Sequence, residues 1–180
     1  RITAEKATAK DIAFQYQVSR NLPVNIYGDD RRLRQILLNL LNNALKFTNK
    51  GQITLKISRI RRIQNGNRHF PAQVGLRFTI IDTGIGIARQ DFSRIFQPFE
   101  QVAQWRTEEV GTGLGLAICR ELVKLMGGKL KVKSQLNKGS VFWFDLAFPE
   151  IKASSQIKLK SVEDIIGYKG KRLTLLVVED

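Results

Sequence analysis

A glycine-rich turn at the end of an apolar run constrains this chain more than any other feature. Residues 76–81 are mostly β-branched or aromatic, which predicts a strand entering a core, and residues 82–87 read Asp-Thr-Gly-Ile-Gly-Ile. Asp82 therefore stands where the backbone leaves the sheet, and its carboxylate can only accept hydrogen bonds, for example from an exocyclic amino group such as that of adenine. Gly84 and Gly86 would let a flat ring approach the backbone closely. An ordinary Asp-x-Gly turn explains the same residues when they are considered alone.

Residues 29–48 predict an amphipathic helix that carries a polar stripe. Aspartates at its start can cap it, and apolar residues recur at helical spacing, namely Leu33, Ile36, Leu37, Leu40, Leu41 and Ala44. Asn39, Asn43 and Lys46 stand at i, i+4 and i+7, so they share one face. Flanking leucines should hem in the two asparagines, and a buried amide without partners costs about 1–3 kcal/mol. A ligand or metal that satisfied these amides would offset that cost.

The chemistry of the stripe suits a metal-bound polyphosphate. An asparagine supplies a neutral oxygen that can join the shell of a Mg²⁺ held mainly by phosphates and water. Lys46 supplies a compensating positive charge, and Phe47 could pack against a base. An ordinary amphipathic helix with a solvated Asn/Lys edge explains the same pattern.

A second glycine loop runs directly into a helix. Gly111, Gly113 and Gly115 precede the apolar residues 116–126, and the predicted helix stops at Gly127-Gly128. Backbone N–H groups exposed at such a helix start favour an anion. The spacing is not that of a Rossmann fingerprint, because the third glycine comes one residue early, and no Walker A sequence occurs. A flexible loop that caps a helix is the simpler alternative.

These blocks, in this order, resemble the ATP-binding catalytic domain of sensor histidine kinases. Residues 35–48 resemble the N box of that family, residues 82–87 the G1 box, residues 95–101 the F box and residues 111–118 the G2 box. The resemblance extends over about residues 22–149. It implies the Bergerat-type ATP-binding fold, with Mg²⁺ and ATP as cofactors.

The resemblance also implies a role for individual residues. Asn43 would be the Mg²⁺ ligand and, with Lys46, would serve catalysis. The residues that would contact the nucleotide are Asn39, Asn43, Lys46, Phe47, Asp82, Gly84, Gly86, Ile87, Gly111, Thr112, Gly113, Leu114 and Gly115. Phe96 and Phe99 would anchor the near end of a lid over the phosphates, although both could equally be core aromatics. The lid, residues 102–110, is short, and Val110 stands where the family often has glycine.

The expected fold is a two-layer α/β sandwich, with a mixed sheet covered on one face by helices. The first residues should lead into a strand. Four further strands are predicted at residues 53–60, 74–81, 129–134 and 140–148. Helices are predicted at residues 30–48, about 89–95 and 115–126.

Composition limits the remaining function classes. The 180 residues suit one domain with a core, and 43% hydrophobic content without a run of about 20 apolar residues argues against a membrane helix or a signal peptide. A single cysteine, Cys119, excludes an internal disulfide. The net charge of +14 includes a basic cluster around a hairpin at residues 56–68. A nucleic-acid patch is one interpretation, but a solvated basic hairpin is favoured because no recognisable motif accompanies it. His69, the only histidine, lies in this loop.

The chain divides into four expected segments. Residues 1–21 would be the end of a connector from dimerisation helices together with the first strand, and residues 22–149 the ATP-binding catalytic domain. Residues 150–172 are polar and are interpreted as a linker. Residues 173–180 resemble the first strand of a receiver domain, ending in the acidic pair Glu179-Asp180.

The expected function follows from the resemblance. The chain would be the catalytic fragment of a cytoplasmic hybrid histidine kinase whose parent protein could be membrane-anchored. It would position Mg-ATP for transfer of the γ-phosphoryl group to a histidine on a separate dimerisation domain, with a truncated receiver domain following. Gyrase-like and chaperone-like members of the superfamily would need a catalytic acid in the N-box helix, where this chain has asparagines, so hydrolysis should be slow. A non-catalytic ATP-sensing or docking module is the alternative, and no nucleic-acid or membrane contact is expected.

Overall fold

The fold is seen in a computed structural model, which describes residue 7 and residues 10–60, 73–100 and 112–149. The tip of the basic hairpin with His69, the lid, Gly111, the linker and the last predicted strand lie outside the described residues.

Five strands form one mixed sheet. They are β1 (Ile12–Val18), β2 (Gly51–Ile60), β3 (Gln73–Asp82), β4 (Lys131–Gln135) and β5 (Gly139–Pro149). Their order across the sheet is β1-β2-β3-β5-β4, with β1 parallel to β2 and every other pair antiparallel. The expected strands are therefore present, and β4 begins two residues later than predicted.

Two α-helices pack on one face of the sheet, α1 (Asp30–Phe47) and α2 (Gly115–Leu125). The Asp29 carboxylate caps α1 by accepting from Arg32 N at 3.0 Å. After α2, Gly127 has a φ of +82°, and Gly128 N donates to Val123 O at 2.8 Å. Such a left-handed glycine ends a helix at little steric cost, as the sequence predicts. Within the described residues, neither helix has the length and apolar character needed to cross a membrane.

The core lies between the helices and the inner face of β3 and β5. Even-numbered residues of both strands point inward, because side chains alternate along a strand. Phe78 and Phe144 stack there with ring centroids 5.1 Å apart. Ile36 and Leu40 of α1 and Val123 of α2 close the core from above. This is the expected two-layer α/β sandwich.

The helix predicted at residues 89–95 is wrong. That segment forms two 3-10 turns, Arg89–Asp91 and Arg94–Phe96, with bonds such as Asp91 N to Ala88 O that span three residues. Neither turn has a side-chain cap, and a segment this short does not offset the cost of helix nucleation.

Candidate functional site

A pocket opens where α1, the loop after β3, the start of α2 and the start of β5 meet. Its polar lining residues are Asn43, Asp82 and Ser140. Apolar lining residues surround them, among them Leu40, Phe47, Ile87, Leu116 and Phe142. The sheet and both helices thus bring together residues that are up to about a hundred positions apart in sequence.

The Asp82 carboxylate is held at the base of this pocket. Only 7% of the residue is exposed. Its Oδ1 accepts from Gly84 N at 3.0 Å and from Ser140 N at 3.2 Å. Burial raises the pKa of Asp82, and these backbone donors, together with the Ser140 side chain, partly oppose the shift. A carboxylate with further acceptor capacity therefore faces a largely apolar pocket.

The glycines after Asp82 are required by protein contacts. A Cβ at Gly84 would overlap the Phe47 carbonyl oxygen, and a Cβ at Gly86 would overlap the Gln135 carbonyl oxygen. Gly86 also has a φ of +68°. The loop is pressed against the end of α1 and the β4–β5 hairpin, so close approach of a ring is not needed to explain these glycines. Gly86 and Ile87 nevertheless line the pocket.

The stripe on α1 divides between two surfaces. Asn43 lines the pocket with Asp82, whereas Asn39 lines an outer groove with Leu38. The Cys119 thiol of α2 donates to Ile36 O at 3.7 Å; burial raises its pKa to about 11, and the Asn39 side chain partly opposes that shift. Both asparagines are half-buried and Leu38 is 38% exposed, so the expectation that leucines hem in the amides is wrong. A helical stripe about two turns long spans more than the pocket mouth.

Lys46 and Phe47 end α1 beside the pocket. Lys46 Nζ lies 5.4 Å from the centroid of the Phe47 ring, within the range of a cation–π contact. Both side chains are half-buried. A positive charge thus lies next to an aromatic lining residue.

The described part of the second glycine loop leads into α2 without a side-chain cap. Thr112 Oγ1 accepts from Leu114 N at 3.4 Å, and Gly113 has a φ of +72°. Leu114 is the N-cap residue and makes no side-chain cap bond, which leaves N–H groups of the first turn for another acceptor. No other described atom lies within 4 Å of where a Gly115 Cβ would be.

The two aromatics before the lid have different environments. Phe96 is half-buried against the core, with the Arg120 guanidinium 6.0 Å from its centroid. Phe99 is 75% exposed and has a φ of +64°, so the core alternative is wrong for this residue. The Phe99 backbone lies against Gly113, since a Cβ on Gly113 would come within 2.9 Å of it.

Sequence reasoning missed several pocket residues. Ser140 lines the pocket and Ser134 contacts it across the β4–β5 hairpin at 3.0 Å between hydroxyl oxygens. Leu116 and Phe142 complete the apolar wall. A signal existed in the sequence, because Ser134 ends one predicted strand and Ser140 begins the next, and the two pair across the hairpin.

This arrangement suits a flat heterocycle at one end and an anion at the other. A buried acceptor among apolar side chains can bind an amino group on an aromatic ring. The uncapped start of α2 favours negative charge. Among the described residues, no group of three or more His, Cys, Asp and Glu side chains could hold a metal by itself.

Comparison with known families agrees with this geometry. The family described as histidine kinase-, DNA gyrase B- and HSP90-like ATPase matches residues 28–150. The match begins just before the Asp29 cap and ends just after β5. It therefore spans the helices, strands β2–β5 and the whole pocket.

Curated relatives are histidine kinases much longer than this chain. The chain is 36% identical over 158 residues to the peroxide stress-activated histidine kinase mak2 of Schizosaccharomyces pombe, covering 87% of the chain and 7% of that protein. It is 36% identical over 172 residues to hybrid signal transduction histidine kinase B of Dictyostelium discoideum, covering 95% of the chain and 8% of that protein. It is 39% identical over 146 residues to BarA of Escherichia coli K12, covering 81% of the chain and 15% of that protein.

Solved structures share the fold. Full-length ShkA in complex with AMPPNP superposes with a TM-score of 0.69 at 38% identity, covering 84% of this chain and 29% of that one. The nucleotide-free catalytic domain of the histidine kinase ThkA superposes with a TM-score of 0.63 at 27% identity, covering 81% of this chain and 86% of that one. The chain belongs to the histidine kinase-, DNA gyrase B- and HSP90-like ATPase family, and within it to the ATPase domains of histidine kinases.

Proposed function

We propose that this chain is the catalytic domain of a hybrid sensor histidine kinase and that it positions Mg-ATP for phosphoryl transfer to a histidine on a separate domain. The pocket that joins Asp82, Asn43 and the start of α2 carries the proposal. A parent protein that continues into a receiver domain and works in the cytoplasm is part of the same proposal.

The adenine ring occupies the apolar part of the pocket. Asp82 accepts a hydrogen bond from the exocyclic amino group, while Ile87, Leu116 and Phe142 contact the faces and edges of the ring. Burial strengthens this hydrogen bond, because the surroundings of Asp82 screen charge less than water does.

The phosphates extend toward α1 and the start of α2. Backbone N–H groups of the first turn of α2 donate to phosphate oxygens, and Gly115 leaves room for them, while Gly113 shapes the loop before the helix. Lys46 supplies positive charge near Phe47. The Asn43 carboxamide oxygen would hold Mg²⁺, which when bound would supply charge neutralisation at the phosphates. The remaining residues proposed to contact the nucleotide are Gly111, Thr112 and Asn39. Gly84 and Gly86 shape the loop after β3.

The chain contributes positioning to the reaction. Phosphoryl transfer needs alignment of the attacking atom and stabilisation of charge. The described part of α1 has carboxamides along its stripe and its one acidic residue, Asp30, in the first turn. No carboxylate of α1 therefore lies beside the pocket to activate water, and hydrolysis without an acceptor should be slow. A purely docking role is not favoured, because the relatives are named histidine kinases.

Titration with AMPPNP, with and without Mg²⁺, tests the nucleotide site. The intact chain should bind the analogue, and Mg²⁺ should tighten binding. Asp82→Asn should weaken it, whereas Asp145→Asn, a change on the outer face of β5, should not. Saturable binding that ignores Asp82 would place the nucleotide elsewhere.

A further inference from the structure

The sheet has an outer face, on the side away from the helices. Among the described residues, both α-helices pack on one face of the sheet, and neither covers the opposite one. Side chains alternate along a strand, so Trp143, which stands between the buried Phe142 and Phe144 of β5, points to the outer face. Phe142 also lines the pocket, so the pocket and the outer face lie on opposite sides of the sheet.

Apolar side chains form the centre of the outer face. In the register of β3 with β5, Ile81 pairs with Val141, and Thr79 pairs with Trp143. All four residues are half-buried, because they are covered mainly by their neighbours within the sheet. Ile81, Val141 and Trp143 therefore present a small apolar patch.

Lysines border this patch on both sides. Lys131 of β4 pairs with Trp143, and Lys56 of β2 pairs with Thr79. Lys133 lies next to Lys131 on the same face of β4, and all three lysines are exposed. None of them forms an ion pair with another described residue. Three positive charges thus flank an apolar centre.

Asp145, an acidic residue of the outer face, does not neutralise these lysines. Arg77 holds its carboxylate at two points, with Nε donating to Oδ1 at 2.6 Å and a second guanidinium nitrogen donating to Oδ2 at 2.8 Å. Such a contact engages both carboxylate oxygens. The lysine charges remain available for a partner, and charge complementarity requires that partner to be acidic.

The spacing of the row further specifies the partner. Neighbouring strands lie about 4.8 Å apart, so Lys131 and Lys56, three strand spacings from each other, are separated by about 14 Å with Trp143 between them. In an extended segment, side chains two residues apart point to the same side and are separated by about 6.8 Å. Acidic residues four positions apart would therefore reach both lysines, and an apolar residue midway between them would lie over Trp143.

We propose that the outer face is a docking site for an extended protein segment with the pattern acid-x-apolar-x-acid. No two of the 16 acidic residues of this chain are four positions apart, so the segment lies outside these 180 residues. A nucleic-acid strand fits less well, because the described part of the face offers one aromatic ring and not a series on which successive bases could stack. The docked segment crosses the strands and leaves the nucleotide pocket open.

A peptide titration followed by NMR tests the docking site on the full chain. The probe is a heptapeptide of glycine, glutamate, serine, leucine, serine, glutamate and glycine. The indole N–H signal of Trp143, assigned by its loss in Trp143→Phe, should shift and saturate. Placing the two glutamates side by side, or replacing leucine by serine, should weaken binding about threefold or more, because one lysine or the apolar patch then loses its partner. High salt should also weaken binding, since exposed charges are screened.

Charge reversal on β4 is the matched test on the protein. Lys131→Glu should weaken binding of the heptapeptide about three- to tenfold, because it removes one attraction and adds a repulsion of similar size. Lys124→Glu changes the net charge equally at an exposed position of α2, on the other side of the sheet, and should change binding less than about twofold. Circular dichroism checks that both variants fold.

Several results would overturn the proposal. Equal effects of Lys131→Glu and Lys124→Glu would mean attraction by net charge alone. Equal binding of the reordered peptide, or displacement of the heptapeptide by ADP, would be incompatible with a spaced row on the outer face. Tighter binding of single-stranded oligothymidylate at the same indole signal would assign the face to nucleic acid. If Lys131→Glu fails to fold, the comparison of peptides decides the question, because it uses the unmodified chain.

Discussion

Asp82 combines a structural cost with a proposed role in binding. Its carboxylate is buried, and backbone donors from Gly84 and Ser140 compensate only part of the lost hydration. Position and acceptor capacity together make it the side chain that should decide which base binds.

Asp82→Asn should weaken binding of adenine nucleotides and leave the fold intact. The change turns an acceptor into a mixed donor and acceptor facing an amino group, and a hydrogen bond to a charged group contributes about 1.5–3 kcal/mol. The expected loss is about one to two decades in Kd. Calorimetric titration with ADP measures it, and circular dichroism checks the fold. Unchanged affinity in a folded variant would remove Asp82 from the site.

The same substitution should alter how stability depends on pH. The folded-state pKa of Asp82 is raised, so its contribution to stability is present below the unfolded-state pKa and is lost as pH rises through the folded-state pKa. At neutral pH, Asp82→Asn should therefore unfold with an equal or higher free energy than the unmodified chain. Urea denaturation at several pH values measures the difference. The stability of the variant relative to the unmodified chain should be higher at pH 7 than below the carboxyl range. A lower relative stability at pH 7 would contradict the predicted sign.

Asn43→Ala should reduce Mg²⁺-dependent binding more than metal-free binding. Asn43 lines the pocket, whereas its neighbour Asn42 is exposed and lines the outer groove with Asn39. Asn42→Ala is thus a matched control on the same helix. Loss of one ligand bond should lower AMPPNP affinity about tenfold with Mg²⁺ and little with a chelator present, since a hydrogen-bond-sized contact contributes about 1 kcal/mol or more. Equal losses under both conditions would indicate a structural amide.

Among the elements, α2 has the start most suited to an anion. Its first turn lacks a side-chain cap, and Gly115 borders open space among the described residues. A glycine at a helical position without steric need weakens the helix, so its presence is better explained by a ligand. The neighbouring Gly113 differs, because its φ of +72° and its contact with the Phe99 backbone require glycine.

Gly115→Ala should separate stability from binding. The methyl group should stabilise α2 by up to about 1 kcal/mol, because alanine loses less backbone freedom on folding. It should weaken ADP binding about tenfold or more, if it displaces a phosphate from one charge-assisted hydrogen bond. Thermal unfolding with and without ADP measures both effects. A higher Tm with unchanged ADP affinity would exclude phosphate contact at this turn.

The local sequence pattern predicted the helices and strands better than it predicted the side-chain contacts between them. Caps and apolar spacing were sufficient for α1 and α2, because these signals are local. The helix prediction for residues 89–95 was wrong because the segment has apolar residues at helical spacing but lacks both the length and the side-chain cap of a stable helix. Ser134 was missed because its contacts with Ser140 and Ile87 arise only in the folded sheet. The different surfaces reached by Asn39 and Asn43 likewise depend on where α2 packs.

For the whole molecule, we propose that this chain binds Mg-ATP while a separate domain carries the acceptor histidine. This proposal predicts what the chain does alone. Its single histidine, His69, stands in a polar segment without an adjacent carboxylate in the sequence. Incubated with radiolabelled Mg-ATP, the isolated chain should bind nucleotide without acquiring acid-labile label. A separately supplied dimerisation domain with an exposed histidine should be labelled, but slowly, because no tether raises its effective concentration. Label on His69 would contradict this division.

The polarity of the sheet would place modules joined at its two ends at unequal distances from the pocket. Strand β1 starts at Ile12, opposite Gly51, at the same end of the sheet as Asp82 and about two strand spacings, roughly 10 Å, from β3. Strand β5 runs away from that end and finishes at Pro149, about 30 Å from Ser140 at roughly 3.4 Å per residue. A module joined before Ile12 would therefore be held close to the proposed nucleotide site. For a module joined after Pro149, about nine extended residues of linker would be needed to reach back to the end of the sheet where Ser140 and Asp82 lie.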